Sequence, residues 1–102
     1  MYAVVVTVES DATREDEVAQ LARAAVGRTK AREGFVRGLW LRSRDIDGGR
    51  RGARSVLVFD TEEHADAFAT GAGQGPPAGA PVTLRRVEVF EVIDEAERLT
   101  EL

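Results

Sequence analysis

Apolar positions along this chain recur with two different periods, and the period switches at short clusters of Ser, Asp and Gly. Tyr2 to Glu9 is mostly β-branched and ends at Ser10-Asp11, which predicts a strand running into a helix start. From Thr13 onward Val18, Leu21, Ala22, Ala25 and Val26 fall at helical spacing. One apolar stripe then faces a core while Arg14, Glu15, Arg23 and Arg28 face water. Thr13 with Asp16 approximates a capping box, acidic Glu15, Asp16 and Glu17 suit the positive end of the helix dipole, and the helix is expected to stop between Gly27 and Gly34. Gly34–Arg42 reads as a second strand and Ser55–Phe59 as a third, joined in a long hairpin around Asp47-Gly48-Gly49. Asp60 and Glu63 stand in capping-box spacing before a second helix whose buried stripe is Ala65, Phe68 and Ala69. The Gly/Pro-rich stretch Gly71–Pro81 ends it. Pro81–Ile93 is the predicted fourth strand, and Asp94–Arg98 a short helix or a frayed tail.

The order β-α-β-β-α-β predicts an α+β, ferredoxin-like fold: a four-stranded antiparallel sheet with two helices on one face, forming a single domain over residues 1–102. Such helices cover one face only, so the other should be polar. It is not. Tyr2, Val4, Val6 and Val8 point one way and Ala3, Val5 and Thr7 the other, while Val56 and Val58 oppose Leu57 and Phe59. An apolar second face is expected to be covered by another copy through a two-fold axis, giving a homodimer packed sheet to sheet. The alternative is a monomer that covers it with its own tail.

Composition narrows the chemistry. The chain has 102 residues, 43% hydrophobic and 31% charged, which supports one small core and excludes the signature of a disordered chain. Mean hydropathy of -0.23 and the lack of a long apolar run predict no membrane span. A net charge of -4 argues against nucleic acid as partner, since that affinity comes from clustered Lys and Arg. With no Cys and one His, disulfides, thiol nucleophiles and multi-His metal sites within one chain are excluded, and neither metal nor cofactor is expected. No secretory signal is visible at the start, so a cytoplasmic location is expected.

Four side chains are candidates for binding a ligand. His64 is the one side chain expected to titrate near neutral pH, although its position suggests an exposed first-turn residue with no Ser or Asp placed to complete a nucleophile-base pair. Trp40 and Phe68, with Phe35, Phe59 and Tyr2, could line a pocket for a planar aromatic molecule or simply fill the core. Arg37 lies within a strand and needs a partner, for which Glu9 or Glu88 would serve, or a ligand carboxylate. Arg85 and Arg86 raise the same question, and being adjacent must face opposite sides. Arg42, Arg44, Arg50, Arg51 and Arg54, diluted by Asp45 and Asp47, read as a solvated, flexible hairpin loop.

The strand MYAVVVTVE entering an acidic-capped helix, the strand GFVRGLWL, and SVLVFDTEEHADAFA resemble the dimeric α/β-barrel superfamily over nearly the whole chain. That group holds antibiotic biosynthesis monooxygenase-like proteins, small haem-degrading enzymes, muconolactone isomerases and stress-responsive barrel proteins. The resemblance implies two sheets closing into a barrel, helices outside, and a ligand pocket between the helices and sheet of each subunit. Its haem-degrading members carry an Asn on the first strand, a Trp on the third and a haem-ligating His on the second helix. Here the first strand has no Asn, the third no Trp, and the single Trp, Trp40, is on the second. His64 stands in the first turn of the second helix beside Glu62 and Glu63, where such a ligand is not expected.

The reading is therefore a small homodimeric α/β-barrel protein with a hydrophobic pocket and no identifiable catalytic set. The alternative is a cofactor-independent monooxygenase acting on an aromatic or quinol substrate, implied by the resemblance alone, with Trp40, Arg37 or His64 orienting the substrate. A third is an assembly protein whose sheet serves only to associate.

Overall fold

The computed structural model describes residues 1–98. The elements are β1 (Tyr2–Asp11), α1 (Glu15–Lys30), β2 (Phe35–Arg42), β3 (Arg50–Phe59), α2 (Glu62–Ala72) and β4 (Val82–Glu91). The strands form one antiparallel sheet in the order β2-β3-β1-β4, the ferredoxin-like α+β arrangement that the pattern predicts. β1, the most β-branched strand, and β3, which carries the buried Leu57 and Phe59, occupy the centre, where both edges need partners.

Alternation along the strands sorts the side chains. Val4, Leu57 and Phe59 point to the helix side and form a buried cluster with Ala65 of α2. Phe59 meets Phe35 edge-on at 5.8 Å between centroids and Phe68 at 5.2 Å, so three aromatic rings tie β2, β3 and α2 together. The stripe Ala65, Phe68 and Ala69 packs on this cluster as expected.

The boundaries depart from the local pattern wherever a distant partner decides them. β3 begins at Arg50, five residues before Ser55, because Thr7–Asp11 of a lengthened β1 pair with Arg50–Arg54. The hairpin closes on Gly48 and Gly49 at φ 57 and 76, with Asp47 and Arg50 exchanging N–H to C=O bonds of 2.9 Å each way. Two consecutive positive φ values make a type I′ turn, whose twist suits the flanking strands. Arg51 is not solvated: its side chain is 12% exposed and pairs with Glu15 of α1 at 3.0 Å.

Neither predicted capping box forms. The Asp11 carboxylate accepts the Thr13 N–H at 2.9 Å and its hydroxyl at 2.6 Å, which removes Thr13 from the helix start; α1 begins after Arg14 without a side-chain cap. At α2 the cap is Thr61, whose Oγ1 accepts the His64 N–H at 3.1 Å. A bulge between Thr7 and Val8 takes Arg85 out of the β4 ladder, and Arg85 pairs with Glu9 while Arg86 lies 3.8 Å from Glu88. Residues 92–98 are not helical; they leave β4 with the Val92 N–H on the Met1 carbonyl at 3.0 Å. Among the described residues no helix is long and apolar enough to cross a membrane.

On the face away from the helices, Leu39 and Val5 both stand in register with Val56. Leu39 is 62% exposed, Leu41 48% and Phe90 48%. The second face is thus apolar and open.

Candidate functional site

Trp40 stands on the helix side of β2, in register with Ser55, which in turn faces Val6 on β1. Its indole lies back along its own strand over Gly38: a Cβ there would meet the ring at 3.1 Å and Leu57 at 2.8 Å. Gly38 therefore provides the space that lets the indole lie down. Trp40 packs against the core yet remains half-buried. Above this floor α1 covers the sheet unevenly. Val18, Ala25 and Val26 are partly covered and Thr29 is buried, but Leu21 and Ala22 between them stay exposed. Trp40 is thus a half-buried apolar side chain on the side of the sheet that carries α1. A depression of about 390 Å³, lined by Ala12–Glu17, lies at the start of α1 and is open and polar.

Where the loop after α1 meets the start of α2, a second cluster forms. The Asp60 N–H donates to the Gly34 carbonyl at 2.9 Å, and His64 Nδ1 lies 2.6 Å from Asp60 Oδ1, one helical turn away. His64 Nε2 lies 3.7 Å from Glu33. The Arg32 guanidinium sits 5.4 Å from the centroid of the Phe68 ring. Hydrogen bonding to Asp60 and then its charge hold the His64 pKa above the ordinary value, against some desolvation, and the same bond holds Asp60 below the usual carboxylate range. His64 is thus a clasp between Asp60 and Glu33 whose protonated form is favoured.

The structure brings Trp40 and Phe68 to the helix side around one core, and places His64 at its edge. It does not bring Arg37 there. Arg37 pairs with Val58 on the open face, and its partner is Glu95 in the C-terminal segment rather than Glu9 or Glu88. Asp60, Glu33 and Arg32 went unread as site residues; the four-residue spacing of Asp60 and His64 was the available signal.

The clasp makes stability pH-dependent with a definite sign. A raised folded-state pKa on His64 contributes stability that is complete below its unfolded value, about 6.5, and is lost as pH rises through the higher folded value. The lowered Asp60 contributes above its unfolded value and loses this as pH falls through the folded one. Thermal unfolding of His64→Gln and the unaltered chain should therefore differ most in mildly acidic buffer and converge on the alkaline side of neutrality. A difference independent of pH would refute the clasp.

No protein-family model matches the sequence, and no curated protein matches it. The fold is ferredoxin-like. Among solved structures the chain is similar to the haem degrader MhuD of Mycobacterium tuberculosis with two haems bound in its active site, at 20% identity and TM-score 0.67 over 95% of this chain and 100% of that one. HapK of Hahella chejuensis is similar at 10% identity and TM-score 0.65, covering 98% and 100%. A protein of unknown function from Nitrosomonas europaea follows at 15% identity and TM-score 0.52, covering 97% and 95%. At these identities the likeness establishes the fold.

The chain has no Cys, and its single His, His64, has Nδ1 on Asp60 and Nε2 3.7 Å from Glu33.

Proposed function

We propose that this chain is a small homodimeric α/β-barrel protein of the cytoplasm that binds a hydrophobic or aromatic small molecule in a groove between α1 and the sheet, beside Trp40. It acts as a binding or accessory module without a catalytic set of its own. One observation carries this reading: the Trp40 indole, given room by Gly38, stays half-buried on the helix side of the sheet, while Leu21 and Ala22 of α1 are left exposed. A half-covered indole suits a planar ring. A fold neighbour that holds two haems in its active site supports the capacity of this architecture for planar ligands.

Trp40 is the only Trp, so its emission reports the groove alone. Titration with planar hydroquinones and naphthoquinones should quench it saturably, and calorimetry on Trp40→Ala should show the binding heat lost. Linear quenching throughout the panel overturns the ligand reading and leaves a protein that only assembles.

The second reading is a cofactor-independent monooxygenase acting on an aromatic or quinol substrate. The Asp60–His64 pair favours it, as an acid-base couple at the margin of the aromatic cluster. Oxygen consumption with the same hydroquinones, no faster than in Trp40→Ala and His64→Ala, removes it.

A further inference from the structure

The C-terminal segment follows an unexpected path. β4 and β2 are opposite edges of the sheet, yet Glu95, four residues beyond the end of β4, bonds to Arg37 of β2. Three strand spacings separate those edges, about 14 Å, and four extended residues span about 13 Å. Residues 92–95 must therefore run across the sheet.

They cross at the end where Val92 bonds to Met1 and where Arg37, Val58 and Ala3 share one row of the open face. In that row Val58 is 9% exposed, whereas Leu39 further along is 62% exposed. The one large apolar side chain of this segment does not join the row: Ile93 is 93% exposed. A segment that closed the face within one chain would turn its isoleucine onto the sheet. This one is pinned by charge and turns the isoleucine out.

We propose that residues 92–95 form a strap, latched by Arg37 and Glu95, that belongs to the interface with a second copy, and that Ile93 is the knob it offers to the partner's sheet. The inference rests on the two-copy reading above. Area favours it: three strands of ten residues and one of eight present a face of at most about 19 by 33 Å, roughly 600 Å² a side. Two such faces reach only the lower edge of the roughly 1,200–2,000 Å² buried in stable interfaces. The strap enlarges the contact where the sheet alone is marginal.

Sedimentation equilibrium on the full chain tests it. Ile93→Asp should weaken self-association by about a hundredfold, since it places a charge where an apolar side chain was to be buried. Arg37→Glu and Glu95→Arg should each weaken it about tenfold, and the double reversal should recover most of the loss. All three positions are at the surface, and circular dichroism of each variant checks that it folds. A dimer as tight in Ile93→Asp and both single reversals as in the unaltered chain overturns the strap and leaves the dimer standing. An unaltered chain that stays monomeric overturns both.

Discussion

Replacing Gly34 by alanine should destabilise this chain by roughly 2–4 kcal/mol, the largest effect expected of any single methyl group. Gly34 has φ 82, a left-handed conformation that costs an L-residue about 1–2 kcal/mol. The added Cβ would also overlap the His64 ring and the Asp60 carboxylate, and overpacking of this kind costs typically 1–3 kcal/mol. The two costs act together because the Gly34 carbonyl also receives the Asp60 N–H, so the loop cannot retreat without opening that bond. Thermal unfolding should show a midpoint lowered by roughly 10–20 °C. Gly27→Ala is the internal control: Gly27 is helical with nothing near its Cβ position, so alanine there should stabilise by about 0.4–1 kcal/mol. Equal midpoints for the two variants would contradict the account of the Gly34 corner.

Leu39→Asp should leave the monomer folded and abolish its self-association. At 62% exposure Leu39 contributes little to the core of one chain, so far-ultraviolet circular dichroism and the unfolding midpoint at high dilution should hardly change. Between two sheets the carboxylate would be buried without a partner, which costs about 3–5 kcal/mol. That corresponds to a dissociation constant raised by a hundredfold or more. Phe90→Asp, on the opposite edge strand, should act in the same direction.

The fold was legible because its elements are written locally. β1 is a run of β-branched residues, β3 ends in the apolar run Val56–Phe59, and α2 carries Ala65, Phe68 and Ala69 at helical spacing, so the order of elements follows without tertiary information. The ends were less legible because they depend on competition and distant pairing. Asp11 captures Thr13 before Thr13 can cap α1, and Asp60, taken up by His64, leaves the capping of α2 to Thr61. Arg50–Arg54 reads locally as a charged loop and becomes strand only because Thr7–Asp11 pair with it.

The candidate site divides along the same line. Phe68 could be placed on the helix side by helical period. Trp40 could not, and neither could Arg37, because a bulge between Phe35 and Arg37 shifts the register of both, and a one-residue slip sends a side chain to the other face. The partner of Arg37, Glu95, lies fifty-eight residues away on a segment without a periodic pattern.

The central claim is that this sheet is half of a two-chain core. The most direct test is the mass of the unaltered chain by sedimentation equilibrium at micromolar concentration. A species of twice 11.1 kDa is predicted, and a single species of 11.1 kDa across the concentration range would contradict the account.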